Sequence, residues 1–487
     1  MSPIRSLIFA LLFTLALPVW ADDVDDDSRF EVKYGKNFTF SGGRVFIDHG
    51  FGDLDIRTHD GNQVQVRATI RSSDEEIGKQ IRIVATEGPA GVMIRTEYPE
   101  IRRHRGHLSY SVDMTVTLPA NAPVTAKNKF GGTDARGLHA PSTIENKQGS
   151  IAFADGRGAH SLSNSFGSIE AIGNRGDLTI SNTNGSINVR KIEGTLTASN
   201  RFGSVSVADV ERAVTISNSN GSIEALDIGG MLKATNAFGS ITASTIGASA
   251  DITTSNSRVE LSNVTGSATV KNSFGNVNVK TVSGDLTVDG SNSKVDAEGI
   301  KGNTTVDTGF GGVTLNNIGG WAKVTSNNGN IKVSDIAGAL TVETQFGTVG
   351  ADRVRGSADV KSGNGNVTLN DLGGAVKVRS SFGGVFVDGV GGAVDIANAN
   401  GAISVAGLRS NSCHPVSLRT TFSSIKVALP DGIGYAVNAR TSFGRVSTDI
   451  PILTTGMSEG TLVGTIGKGG CKLELVNSNG NITIDKE

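Results

Sequence analysis

Residues 200–217 read NRFGSVSVADVERAVTIS, and the pattern within these 18 residues decides the fold. Numbered from Asn200, positions 6 and 8 are Val205 and Val207, position 11 is Val210, and positions 15 and 17 are Val214 and Ile216. Mostly polar residues fill positions 5, 7, 9, 14, 16 and 18. The 6/8 and 15/17 pairs have the period of two that belongs to a strand with one face buried and one wet. Glycine recurs at positions 4 and 13, just before each strand, where a turn calls for backbone freedom. The unit is therefore two nine-residue halves, each a turn followed by a short strand.

Working outward, the same unit repeats in both directions. Position 6 is β-branched at every step of 18 from Ile169 to Ile403. Phe-Gly recurs every 36 residues, at Phe130, Phe166, Phe202, Phe238, Phe274, Phe310, Phe346 and Phe382. Midway between them lie Gln148, Asn184, Asn220, Asn256, Asn292, Asn328, Asn364 and Asn400. One corner thus alternates between Phe and Asn. Self-similarity at a fixed period is the signature of a repeat architecture. A single unit has too few aliphatic side chains to bury its own apolar face, so it is stable only when stacked on neighbours. The expected fold is all-β: a single-chain β-solenoid with 18-residue rungs, two short strands per rung and irregular β caps at both ends. Sixteen rungs over residues 128–415, at about 4.8 Å each, predict a rod roughly 75–80 Å long. A hexapeptide-based helix also takes 18 residues per coil, but the aliphatics here do not recur every six.

The alternating corner has its own expectation. Asn-Gly suits a tight turn, and stacked Asn side chains can bond along the axis. Phe on every second rung places rings about 9.6 Å apart, too far for ring-to-ring contact. The Phe column is read as corner packing rather than as a ladder for a ligand.

Outside the repeat, residues 22–127 are β-rich but out of register and predict an N-terminal cap, which a solenoid needs to blunt its exposed edge. Within it, residues 43–70 form an early, longer rung plus an extra strand, with Phe51-Gly52 at the corner. Further strands fall at 81–84, 92–96 and 110–118. Residues 416–487 form irregular rungs and a C-terminal cap, in which Phe422, Phe443-Gly444 and Asn479-Gly480 continue the corner at wider spacing. Residues 1–21 have the layout of a secretory signal peptide: Arg5, an apolar run over 6–17, and Ala21 before Asp22-Asp23. The mature chain has no second apolar run long enough to span a membrane. Export to the periplasm, the medium or the cell surface is expected.

The composition agrees with this reading. Of 487 residues, 64 are glycine and only 10 proline, and net charge is −2. A balanced charge gives no electrostatic case for nucleic acid. The regularly placed aliphatics argue against disorder. Two cysteines, Cys413 and Cys471, would meet an oxidising compartment. Cys413 lies in the insertion where the 18-residue register fails and Cys471 opens the last strand segment, and a disulfide between them is expected to staple the C-terminal cap to the regular rungs.

The layout resembles a bacterial family of exported β-strand-repeat proteins of unknown function, often labelled as candidate adhesins. The matching stretches are VDMTVTLPANAPVTAKNKFGG (112–132), the repeated SNxxGSIxV rungs, IKVALPDGIGYAVNARTSFGRV (425–446) and CKLELVNSNGNITID (471–485). The resemblance implies the solenoid architecture and no catalytic residues.

A search for chemistry returns little. The seven histidines fit no HExxH pattern, and no GxSxG elbow occurs. The nine-residue half lacks the inner Asp of calcium-binding nonapeptide rolls, so no metal or cofactor is expected. Outward acids at position 7, such as Glu170, Glu224 and Glu260, sit on separated rungs, whereas a polysaccharide-cleaving site needs a close pair. The most basic stretch is Arg102-Arg103-His104-Arg105-Gly106-His107. It reads as a solvated loop, or more sharply as a contact for an anionic partner through Arg102, Arg103, His104 and Arg105. The function expected is a non-enzymatic, adhesin-like or structural envelope module, monomeric, whose partner is a polysaccharide or another envelope component. The alternative is a polysaccharide-active β-helix enzyme.

Overall fold

The computed structural model describes residues 30–101, 107–409 and 412–487. Its one helix among those residues is a single turn, Glu75–Gly78. Almost everything else is strand, and the 18-residue solenoid expected from the sequence is observed. Each rung contributes one strand to each of two facing parallel sheets. Val205–Val210 pairs with Ile187–Ile192 below and Ile223–Ile228 above, each residue opposite its counterpart 18 positions away. Leu196–Phe202 and Val214–Asn220 pair in the same register in the second sheet. In the first sheet, sixteen successive strands from Thr133–Arg136 to Ile403–Leu408 keep this offset.

The core lies between the sheets. Positions 6, 8, 11, 15 and 17 are buried in rung after rung, as with Val205, Val207, Val210, Val214 and Ile216. Position 11 breaks the period of two, since it points inward three residues after position 8. The cause is position 10, which takes a left-handed backbone: Asp209 has φ 57°, Asp227 φ 54° and Asn263 φ 56°. That conformation bends the strand and returns the next side chain to the core. Asn, Asp and Gly tolerate it best, and Gly173, Gly299, Gly389 and Gly407 fill the same column. Lys191, Thr245, Thr281 and Arg353 adopt it as well, held there by their stacked neighbours.

Glycine at position 4 is fixed by close approach. At Gly203 (φ +119°), an added Cβ would lie 2.3 Å from the carbonyl oxygen of Gly185 on the rung below, and at Gly221 the same distance from that of Gly203. The corner can stack at strand spacing only without a side chain there.

Position 1 carries a buried ladder. The Asn200 Nδ2 donates to the carbonyls of Gly185 (3.0 Å) and Gly203 (3.1 Å). Asn218 donates to Gly203 and Gly221, and Asn236 to Gly221 and Gly239. The axial bonding expected of Asn is therefore real, but the buried position-1 column makes it, not the corner Asn column at position 3. Further along, Thr and Ser replace Asn, as at Thr308, whose hydroxyl donates to Ser293 O.

At both ends, sequence order and stacking order part company. At the N-terminal end, Arg44–Phe51 pairs with Val124–Phe130 on one side and Gly91–Glu97 on the other. Leu54–His59 likewise lies between Thr133–Arg136 and Tyr110–Pro119. The rung over 44–59 is thus inserted between two rungs that follow it in the chain. Antiparallel strands close the outside: Gln63–Ser72 and then Phe30–Thr39 on one sheet, Arg82–Gly88 on the other.

The C-terminal end repeats the device. Cys471–Asn479 pairs with Val416–Phe422 on one side and Tyr435–Phe443 on the other. Ile482–Lys486 lies between Ile425–Leu429 and Val446–Thr448. The last rung of the sequence is therefore not the last rung of the stack. Thr461–Ile466 and Ile452–Ser458 cover the second sheet at this end antiparallel, while Val446–Thr448 is the last strand of the first. Phe422, Asn479 and Phe443 do continue the corner, in the spatial order Phe422, Asn479, Phe443. The alternation of Phe and Asn is preserved in the stack even where the chain runs out of order.

Candidate functional site

The Phe corner differs from expectation. Its rings are not packed away: Phe166 is 54% exposed, Phe202 41%, Phe238 54% and Phe310 57%. Position 3 ends its strand at the point where the chain leaves the sheet for the Gly turn. The interior at that level is already filled by the position-1 Asn ladder, so the ring turns outward along the edge. The result is a straight row of half-exposed rings on alternate rungs, from Phe130 to Phe443. Exposed or half-exposed Asn184, Asn220 and Asn256 lie between them. At the N-terminal end the alternation fails. Phe51 and Phe130 sit on adjacent rungs and stack with centroids 4.7 Å apart and planes 1° apart. Tyr98 and Tyr110 close on Phe51 edge-on.

The flanks of this row vary along the rod. From rung 163 to rung 256 the outward positions beside it are Ser, Thr and Ala, as at Ser165, Ser168, Thr183 and Ser219. Arg201 and Arg258 are the exceptions: the Arg201 guanidinium lies over the Phe202 ring at 5.3 Å, and Arg258 pairs with Glu260. Beyond residue 270 charges enter. A groove beside this part of the edge is bordered by Glu343, Lys361, Arg379 and Arg419. Those charges pair with neighbours, Arg379 with Asp395 and Arg419 with Glu474.

The opposite edge, formed by the left-handed position-10 residues, carries a second groove. Asp155, Lys191, Asp209 and Asp227 border it. Both signs of charge occur there, and the cross-rung pairs Arg175–Glu193 and Arg353–Asp335 (2.7 Å) form along that side.

The outward carboxylates Glu170, Glu224 and Glu260 remain apart, whereas Asp55 and Asp134 face each other on adjacent rungs with Arg57 paired to both. Glu170 stands between Ala152 and Asn188, Glu224 between Ser206 and Thr242, and Glu260 between Thr242 and Asn278. Ser206 Oγ donates to Glu224 at 3.2 Å, and Glu260 pairs with Arg258. Where the environment shifts a carboxylate, it favours the ionised form. The backbone N–H and hydroxyl of Thr195 hold Asp177 below the usual range. Arg353 does so for Asp335, and Lys472 for Glu474. Partial burial opposes the shift at Asp134, where Arg136 and Arg57 outweigh it. A general acid needs the reverse arrangement.

Among the described residues two histidines are buried. His49 extends the position-1 ladder, opposite Asn128, and burial holds its pKa below the ordinary imidazole value. His160 packs against Phe153, 4.9 Å between centroids, and burial lowers its pKa as well. Cys413 and Cys471 lie at disulfide distance, Cα to Cα 5.7 Å. Arg102, Arg103, His104 and Arg105 lie outside the described residues, as do residues 1–21. Among the described residues no group of three or more His, Cys, Asp or Glu is placed to hold a metal, and no helix is long and apolar enough to cross a membrane.

Residues 279–485 match the family described as Toastrack DUF4097. The resemblance to a repeat family of unknown function is thereby borne out over that stretch. No curated protein matches. One solved structure is the "Crystal structure of a putative cell adhesion protein from Clostridium sporogenes ATCC 15579". It is 8% identical, with 94% of this chain and 100% of that chain covered, and a TM-score of 0.17. At that score the likeness carries no argument.

Proposed function

We propose that this chain is an exported, non-catalytic β-solenoid that serves as an adhesin-like or structural interaction module of the cell envelope. Residues 1–21 would direct export, and a Cys413–Cys471 disulfide would form in the oxidising compartment reached. The observation that carries the reading is the end-capped rod itself. Antiparallel strands cover both sheet edges at the N-terminal end and one of the two at the C-terminal end, edges that would otherwise recruit further strands. What the rod offers is long, rigid side edges rather than a cleft. The downward-shifted, ion-paired carboxylates support a binding surface over a general acid. The match to a family of unknown function over 279–485 is compatible with this role.

The test has two arms. A tagged full-length chain is followed by cell fractionation, and the purified mature chain is assayed on acidic and neutral polysaccharides. Recovery with envelope fractions and no turnover is expected. Turnover abolished by one substitution of an outward acid such as Glu224→Gln would overturn the reading, and so would retention in the cytoplasm.

A further inference from the structure

We infer that the Phe/Asn edge between Phe166 and Asn256 is a binding track for an extended, uncharged, β-linked polysaccharide chain. The inference deepens the interaction role proposed above and rests on it.

Three observations carry it. The rings at Phe166, Phe202 and Phe238 are 41–54% exposed and lie on alternate rungs of a rigid parallel stack. They therefore repeat at about 9.6 Å. The rungs between carry Asn184 and Asn220, whose side-chain amides make no hydrogen bond to another described residue and are half-exposed. The outward flanks over the same rungs are hydroxyl-bearing or small: Ser165, Thr183, Ser219 and Ala237.

The alternation selects the ligand class. A protein partner would favour a contiguous apolar core with a polar rim. Here each ring is separated from the next by an amide. Nucleic acid or an acidic polymer would favour free cations, and on these rungs of the edge Arg201 is drawn over Phe202 and Arg258 is paired with Glu260. An extended β-linked glycan presents the matching features. Its sugar rings advance by about one rung spacing each, and alternate residues turn the same face to one side. Phe166 and Phe238 can each take the apolar C–H face of a sugar, Phe202 does so once its ring exchanges the Arg201 guanidinium for the sugar, and the intervening Asn and hydroxyls can bond the equatorial hydroxyls of the next. Rigid stacking fixes the spacing in advance, so little order is lost on binding.

The experiment uses the full mature chain and two soluble probes, a mixed-linkage β-glucan and cellohexaose, with alginate as the anionic control. Binding is read by affinity electrophoresis and calorimetry. The variants are Phe166→Ala/Phe202→Ala/Phe238→Ala and the aromatic-retaining Phe166→Tyr/Phe202→Tyr/Phe238→Tyr. All three rings are on the surface, so an unchanged melting temperature identifies folded protein. The wild type is expected to bind the neutral probes and not alginate. The Ala variant should lose affinity by about tenfold or more, the scale on which removal of aromatic platforms is felt, and the Tyr variant should retain it. Three results would overturn the inference: no binding of either neutral probe, binding indifferent to the Ala variant, or Phe-dependent self-association in place of glycan binding. None of them bears on export or on the absence of turnover, so the broader reading is tested separately.

Discussion

The regular rungs and the two ends use the same strands in different orders. Between Thr133 and Leu408, each strand stacks on the one 18 residues before it, and the chain simply climbs. At the ends the chain skips a level and later returns to fill it: 44–59 is enclosed by 91–119, and 471–486 by 435–448. A simple climb would end on an open rung. An inserted rung has parallel partners on both sides, and the rung outside it turns its free edge to an antiparallel strand in both sheets at the N-terminal end and in one sheet at the C-terminal end. Propagation therefore needs only a local repeat, whereas termination needs pairing between distant segments. The middle should resist disruption rung by rung, and the ends should depend on a few long-range ties.

The largest effect is expected in the middle. Val295 is fully buried between Val277 and Val313. Val295→Asp should cost several kcal/mol by burying an unpaired charge. Thr305→Asp, on the outward face of the same region, should stay within about 0.5 kcal/mol. Thermal unfolding of the two variants checks this, and equal melting temperatures would reverse the assignment of faces.

Next comes the C-terminal tie. A bridge from Cys413 to Cys471 closes a sequence separation of 58, worth about 4 kcal/mol on the chain-entropy estimate. In Cys413→Ser/Cys471→Ser, amide exchange should accelerate first across Cys471–Asn479 and leave Val205–Val210 slow. Uniform acceleration along the rod would show that the ends are not separate units of stability.

The position-1 ladder gives a smaller contrast. Asn218→Ala removes one of the two side-chain donors to each of the Gly203 and Gly221 carbonyls, which keep Asn200 and Asn236, and should cost about 1–2 kcal/mol. Asn220→Ala, two residues on and half-exposed, should be nearly neutral. Equal losses in denaturant titration would mean that the corner column, not the interior one, ties the rungs.

The smallest effect concerns pH at the N-terminal end. Burial lowers the pKa of His49, so the unfolded chain takes up a proton near pH ~6.5 while the folded one does not. The contribution to stability is complete above that pH and declines as pH falls below it. Asp53 and Asp113 lie near the ring and oppose the effect of burial. His49→Asn, which extends the Asn ladder, should flatten the acid side of the stability curve. An unchanged acid limb would place the sensitivity elsewhere, with His160 the next group to test.

Particular residues show how far the sequence could be read. The aliphatic positions declare the two strands, because burial between parallel sheets repeats at each level. The inward turn of Val210 was legible as an aliphatic at position 11. Its cause was legible too, in the run of Asp, Asn and Gly at position 10, but only once a left-handed residue was sought there. The Asn ladder was placed one column off. Asn stands at position 1 on every rung from Asn128 to Asn236 and at position 3 on alternate rungs from Asn184 onward, and only the path of the chain past Gly203 shows which points inward. Exposure of the Phe column was missed for the same reason, since apolar character does not say which side of a corner a ring takes. The interleaved ends were hidden because pairing between Val416–Phe422 and Cys471–Asn479 is long-range and leaves no period. Phe422, Phe443 and Asn479 gave the corner membership of those rungs but not their order.

That order is tested most directly by cross-linking in the Cys413→Ser/Cys471→Ser background. Ser417 and Glu474 lie opposite each other on adjacent strands, as do Glu474 and Asn438. Cysteines introduced as Ser417→Cys/Glu474→Cys and as Glu474→Cys/Asn438→Cys should each oxidise to an intramolecular disulfide. Ser417→Cys/Asn438→Cys, two levels apart, should not. Efficient bridging of the 417/438 pair, with none for the pairs through 474, would contradict the interleaved stack and restore a chain that climbs in sequence order to its end.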